Sequence, residues 1–279
     1  MTIAQSAASV FPLASMQRAR GVGRIATKLR DGVTVIDTLY QDGCAKIRLP
    51  HTHSSALEAV LINTAGGLTG GDHMQWGADA APNGKMVLTT QACERIYRST
   101  GATARVETRL TVGANAHLDW LPQETILFEA SKLDRRIDID LADGASLTAI
   151  EAVLLGRDAM GELASDAYLR DNWRIRRNGR LLHAEATLLT GQGSERIAAP
   201  LLAGARAFAT ILHIGPLAAR RLETVRALMP ANGLIAASAI GERLVVRAIA
   251  ESGLALRRMI VPIVAELSGA GSLPRLWHL

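Results

Sequence analysis

The sequence predicts a mainly β protein: stacked sheets of many short strands, forming an irregular β-solenoid or a sandwich-like arrangement, with a small helical part near the C-terminus. Three observations carry this expectation. Turn pairs punctuate the chain at Asp31-Gly32, Asp42-Gly43, Asn83-Gly84, Asp143-Gly144 and Asn178-Gly179, each between β-favouring segments. Residues 105–112 and 136–141 alternate polar and apolar side chains with the period of two that a half-buried strand requires. Helical periodicity is confined to the last third.

Taken in order, the apolar run Ala59-Val60-Leu61-Ile62 reads as a strand, and so does Met86-Val87-Leu88-Thr89-Thr90. Residues 173–182 read as a hairpin closed by Asn178-Gly179. Pro216 opens a helix over 217–229, with Ala218, Leu222, Val225 and Met229 on one face and Asn232-Gly233 as the stop. Residues 234–239 and 243–250 form a further hairpin around Gly241-Glu242. A second helix is expected over 254–267, where Pro262 must kink it or make it start late. No strict short repeat is visible, so an ideal solenoid is not expected. No stretch rich in Pro, Ser or charge divides the chain, and residues 17–279 read as a single domain. Residues 1–16, with no acid and with Ser6, Ser9 and Ser15, read as a disordered leader.

Composition narrows the functional classes. A hydrophobic fraction of 48% with 20% charged residues is that of a soluble globular protein, while only 4% aromatics argues against sugar- or base-stacking surfaces. The net charge of +5 comes from arginines scattered along the chain, not from a basic run, which disfavours nucleic acid. Scattered arginines fit solvated faces and ion pairs, including those at protein interfaces. Two distant cysteines, Cys44 and Cys93, fit a reducing compartment. No apolar run has the length of a membrane span. A cytoplasmic protein with no membrane partner is expected.

The segment Asn63-Thr64-Ala65-Gly66-Gly67-Leu68-Thr69-Gly70-Gly71-Asp72 concentrates four glycines beside a strand and ends on a carboxylate. It is no phosphate loop, because no lysine follows until Lys85, and no dinucleotide fingerprint, because a strand follows instead of a helix. No G-x-S-x-G elbow exists, and Cys93, whose neighbour Arg95 would lower its pKa, reads mainly as an inert thiol. His51-Thr52-His53 and His73 lack further ligands at metal-binding spacing. Carboxylates are more suggestive. Asp72, Glu94, Asp119, Glu124, Glu151 and Glu162 sit in glycine-rich or apolar surroundings, where they either pair with arginines such as Arg95, Arg98 and Arg157 or line a path for water or a hydrated cation. A β-rich hydrolase using a carboxylate pair such as Asp72 and Glu94 is the alternative from another class, weakened by the missing aromatic platforms.

Four segments together carry a family resemblance: residues 63–72; Thr89-Thr90-Gln91 with Tyr97-Arg98-Ser99; Leu118-Asp119-Trp120-Leu121-Pro122-Gln123-Glu124-Thr125-Ile126-Leu127-Phe128; and Leu155-Gly156-Arg157-Asp158-Ala159-Met160-Gly161-Glu162. In order and spacing they resemble the urease accessory protein UreD family, called UreH in some bacteria. Cys93-Glu94-Arg95 departs from the small residues and lysine more usual there, and Gly43-Cys44 from a common Gly-Pro. The resemblance implies a non-enzymatic maturation factor that binds apo-urease. It would act with the helical protein UreF and the GTPase UreG in GTP-dependent nickel insertion, with no tightly bound cofactor and with nickel passing through an internal passage. By motif position it implies Asp72, Glu124, Glu151 and Glu162 nearest the ion path, Gly66, Gly67, Gly70 and Gly71 allowing close backbone approach, and Tyr97, Arg98, Trp120 and Arg157 as partner contacts.

Overall fold

The computed structural model describes residues 17–52, 54–269 and 273–278, without the side chain of Glu195. The expected leader over 1–16 and His53 lie outside the described residues. In chain order the strands are β1 (Arg20–Arg30), β2 (Val33–Gly43), β3 (Ala45–Arg48), β4 (Leu57–Asn63), β5 (His73–Ala80), β6 (Lys85–Thr90), β7 (Glu94–Ile96), β8 (Ala104–Val112), β9 (His117–Leu121), β10 (Thr125–Leu127), β11 (Lys132–Leu141), β12 (Ser146–Leu155), β13 (Tyr168–Arg177), β14 (Arg180–Leu189), β15 (Ala207–Ile214), β16 (Leu234–Ile240) and β17 (Arg243–Ala250). The helices are α1 (Gly193–Ile197), α2 (Ala218–Ala227) and α3 (Gly253–Leu267).

Two sheets face each other. The first runs β14-β13-β11-β8-β5-β1-β2, and the second runs β16-β17-β15-β12-β9-β6-β4-β3 with β10 and β7 attached beside β12. Between β4 and β13 the chain alternates from one sheet to the other, so neighbours within each sheet are parallel: β5 with β8, β8 with β11, β4 with β6, β6 with β9. This is the coiling of a β-solenoid, at roughly thirty residues per coil. Coil length varies, which is why no strict repeat is legible. Antiparallel hairpins close the ends of the first sheet, β1 with β2 and β13 with β14, and β15, β17 and β16 extend the second.

The period of two divides each strand between core and surface. Leu133, Ile137, Ile139 and Leu141 of β11 and Leu169, Trp173 and Ile175 of β13 point inward, toward Leu147, Ala149, Val153 and Leu155 of β12. The other face of the second sheet carries a second core. Ile150, Ile211, Leu244 and Val246 there pack with Leu256, Ile260, Ile263 and Val264 of α3 and Trp277. Each fully buried aliphatic or aromatic side chain contributes about 1.5–3 kcal/mol.

Both expected helices form. α3 differs in detail: it begins at Gly253, capped by Ser252 Oγ accepting from Ala255 N at 3.2 Å, and runs on through Pro262. Arg258, whose carbonyl loses its partner at Pro262, and Pro262 itself are both exposed, so the unmade bond lies on the solvent side of the helix, where its cost is smallest. No helix among the described residues is long and apolar enough to cross a membrane.

Candidate functional site

The four motif segments, far apart in sequence, are stacked on successive coils. Leu68 bridges Ile96, Ile96 pairs with Leu127 and Leu127 pairs with Leu155, giving a buried ladder along one corner of the solenoid. One residue further along, Tyr97 and Phe128 meet edge to face with centroids 5.1 Å apart. The Arg157 guanidinium lies 4.5 Å above the Phe128 ring and is clasped by Glu162, with Nε donating to Oε2 at 2.6 Å. Glu162 also accepts from the Glu129 backbone N–H at 3.0 Å. Its hydrogen bond from Arg157 holds the carboxyl below its ordinary pKa.

The glycines fit this corner closely. A Cβ on Gly67, at φ +142°, would stand 2.5 Å from the Tyr97 ring and 2.7 Å from the Arg95 carbonyl oxygen, and one on Gly70 would lie 2.2 Å from the Ala102 carbonyl oxygen. Gly66 and Gly71 take positive φ with fewer close neighbours. The Gly66 carbonyl accepts from Tyr97 Oη at 3.2 Å. Asp72 is buried and holds the turn, with Oδ1 accepting from Ala19 N at 2.8 Å and Oδ2 from Thr69 N at 2.7 Å. Both oxygens are thus engaged by backbone, which leaves Asp72 ill placed as the acid or base of a hydrolytic pair. Arg98 and Tyr97 are exposed, whereas Trp120 is buried and offers no contact surface.

Beside the glycine loop, a cavity of about 230 Å³ is lined by Asn63, Gly66, Gly67, Cys93 and Glu94. Asn63 Nδ2 donates to Glu94 Oε1 at 3.0 Å, and burial pushes the Glu94 carboxyl up to about 7. Cys93 forms the wall between this cavity and a larger neighbour that contains Glu124. Its thiol donates to Glu124 Oε2 at 3.4 Å, and Arg257 Nη1 donates to Glu124 Oε1 at 2.8 Å. Burial, then the Glu124 carboxylate, raises the Cys93 thiol to about 11, which reverses the lowering expected from Arg95.

Inside the solenoid, Arg135 of β11 bridges the two sheets. Its Nε and Nη2 donate to Asp171 of β13 at 3.0 and 2.6 Å, and its Nη1 donates to Glu151 of β12 and to Thr125 Oγ1. Trp120 Nε1 donates to Glu151 Oε1 at 2.9 Å and Trp173 Nε1 to Asp171 Oδ1 at 3.2 Å. All three charged groups are buried, with two carboxylates sharing one guanidinium. Burial is the main force raising the Glu151 pKa, with Asp171 adding to it, and both carboxylates hold Arg135 charged.

Asp119, on the opposite face of the second sheet, anchors the end of α3: it accepts from Ser268 Oγ at 2.7 Å and from Gly269 N, and lies 2.6 Å from His117 Nε2. Burial alone would raise its carboxyl, but His117, Ser268 and Gly269 together lower it. The four candidate ion-path carboxylates are therefore not gathered in one place. Asp72 holds a turn, Glu162 a surface guanidinium, Glu124 the side of α3 and Glu151 the interior. Among the described residues no three His, Cys, Asp or Glu side chains are grouped so as to hold a metal ion. His73 instead lies 3.4 Å from Glu107 at the start of β5.

Arg135 and Asp171 were not singled out from sequence, although the signal exists: both fall on the inward, apolar phase of their strands. A charged residue in that phase is buried and needs a partner.

The chain's similarity to known proteins is extensive. The family described as "UreD urease accessory protein" matches residues 19–278. A protein of Chelativorans sp. (strain BNC1) named "Urease accessory protein UreD" is 61% identical over 276 residues, 99% of each chain. Proteins of the same name from Rhizobium etli and Agrobacterium fabrum are 50% and 49% identical, covering 94% of this chain and 96% and 92% of their own. Full-length similarity at this level, on a solenoid whose four motifs form one corner, places the chain in the UreD urease accessory protein family.

Proposed function

We propose that this chain is a urease maturation factor: a non-enzymatic, cytoplasmic chaperone or scaffold that binds apo-urease. On this reading it acts with a UreF-like protein and a UreG-like GTPase to assist GTP-dependent insertion of nickel. The observation that carries the reading is the family match across nearly the whole chain, together with relatives named as urease accessory proteins. Nickel is cargo here, not a resident cofactor.

An internal ion passage is the finer part of the proposal. It is supported by carboxylates inside the coil and at its corner, Glu151 and Asp171 at the Arg135 level and Glu94 beside the glycine loop. Carboxylate oxygens make weak, exchangeable contacts to a hydrated divalent ion, as transit requires. Any ion crossing the Arg135 level must meet a fixed guanidinium, so that residue would set the resistance of the route.

The test is co-purification of apo-urease with the tagged full-length chain, followed by urease activation with nickel, GTP and the partner proteins. Retention of apo-urease and stimulated activation are expected. Activation that proceeds equally well without the chain would overturn the proposal. Glu162→Ala and Asp72→Asn variants that still bind apo-urease and activate it as wild type does would remove those two carboxylates from the ion path.

A further inference from the structure

The edge of a β-sheet carries unpaired N–H and C=O groups, and folded proteins guard it with charge, proline, a bulge or brevity. The two sheets end on β14, β2, β16 and β3, and three of these strands follow that rule. β2 carries Asp37 and Asp42 and shifts register against β1; β14 carries Arg180 and Glu185 and shifts register against β13; β3 is four residues long and holds Lys46 and Arg48. β16 has none of these devices. Its sequence, Leu234-Ile235-Ala236-Ala237-Ser238-Ala239-Ile240, contains no charge, proline or glycine, and it pairs with β17 in unbroken register over all seven residues. Arg226 Nη2 touches the Ala237 carbonyl at 3.4 Å, a long and weak contact.

The surroundings leave this edge open to another chain. Ile235, Ala237 and Ala239 pack into the second core, and α2 lies against both β16 and β17, under the hairpin. Leu234, Ala236, Ser238 and Ile240 share the opposite face with Val245 and Ile249 of β17, which the first core covers. The last strand of the first sheet, β14, reaches only β17: Arg247 Nη2 donates to Glu185 Oε2 and Arg243 Nη1 to the Leu182 carbonyl, each at 2.7 Å. β16 projects past that strand, with Leu234 62% and Ile240 68% exposed.

The strand also complements itself. In a two-fold antiparallel pair the axis is perpendicular to the sheet, so each residue meets one of the same face. A register centred on Ala237 sets Leu234 opposite Ile240 of a second copy, Ile235 opposite Ala239, Ala236 opposite Ser238 and Ala237 opposite itself. Both exposed large apolar side chains thereby meet an apolar partner, and no charge is opposed. We propose that β16 pairs in this register with β16 of a second copy, joining two ten-stranded sheets into one. Pairing through β14 is blocked, because the projecting β16 of each copy would enter the place of the other's β17. The dimer does not rest on the role in urease maturation, since it forms from the purified chain alone.

Sedimentation velocity of the full-length chain between about 1 and 100 µM should show a reversible monomer–dimer equilibrium. Leu234→Lys and Ile240→Glu alter exposed side chains, so both variants should stay folded, and each alone should weaken the dimer at least tenfold. Mixed in equal amounts they should re-associate, because the register sets the introduced charges opposite each other. Ala236→Cys and Ser238→Cys chains, mixed under mild oxidant, should form a hetero-disulfide. Neither should cross-link with itself, since like positions lie about 8 Å apart, beyond disulfide reach, and the wild-type chain, with Cys44 and Cys93, reports the background. A chain that stays monomeric over this range, a dimer of unchanged affinity in both charged variants, or mixed chains that neither re-associate nor cross-link would each overturn the proposal.

Discussion

Replacing Arg135 by Met probes the solenoid interior at its most charged point. The guanidinium sits between Glu151 and Asp171, and all three are buried. At 3–4 Å and an effective dielectric of about 20, each contact carries about 4 kcal/mol of Coulomb attraction. Methionine fills similar volume and removes the cost of desolvating the cation, which offsets part of that loss. What remains is a pair of buried carboxylates with tryptophan N–H donors alone, and the expected net destabilisation is about 3–5 kcal/mol. That is a large share of the ~5–15 kcal/mol typical of a folded domain. The sign with pH follows. Glu151, already raised by burial, loses the Arg135 charge that lowers it, so it binds its proton more tightly in the folded than in the unfolded state and the deficit should grow as pH rises from 5 to 8. Adding Glu151→Gln to the Met variant removes one of the two buried charges, so stability should partly recover. Urea unfolding at pH 5, 7 and 8 measures all three chains. A Met variant within 1 kcal/mol of wild type at pH 8 would refute the cluster as a determinant of the coil.

Three further outcomes follow from the corner and the second core. Gly67→Ala forces a Cβ against Tyr97 and the Arg95 carbonyl at φ +142°, and should cost about 2–4 kcal/mol in thermal or urea unfolding. Burial raises the Glu94 carboxyl from 4.5 to about 7, so its contribution is most favourable below pH 4.5 and is lost as pH rises through 7, by at most about 3 kcal/mol; Glu94→Gln should flatten the stability profile between pH 5.5 and 8. Burial, then the Arg221 charge, lowers His213 from 6.5 to about 4, so stability present above pH 6.5 is lost as pH falls through 4, and His213→Asn should shrink that acid limb.

Much of this architecture was legible in local signals. Asp31-Gly32 and Asn178-Gly179 close true hairpins, and the apolar stripe with its stop signal located α2. Asn83-Gly84 and Asp143-Gly144 look the same in sequence but lead from one sheet to the other, because each flanking strand finds its parallel partner roughly thirty residues away. Local turn chemistry carries no information about that partner. The same distance explains why the four motifs read as separate markers: their ladder through Leu68, Ile96, Leu127 and Leu155 exists only once the coils stack. Arg135 was hidden by its neighbour, since Arg135-Arg136 resembles a solvated pair until the phase of Leu133, Ile137 and Ile139 turns one of them inward. Of the two effects open to Pro262, a late start is the one that does not occur: α3 begins at Gly253 and runs through Pro262, which is exposed.

The most direct measurement of the central claim is urease activity and nickel content in a urease-positive host lacking the gene for this chain, with and without its restoration. The account predicts urease subunits present at normal amount but inactive and poor in nickel, with both activity and nickel recovered when the chain is restored. Fully active, nickel-loaded urease in the deletion would contradict it.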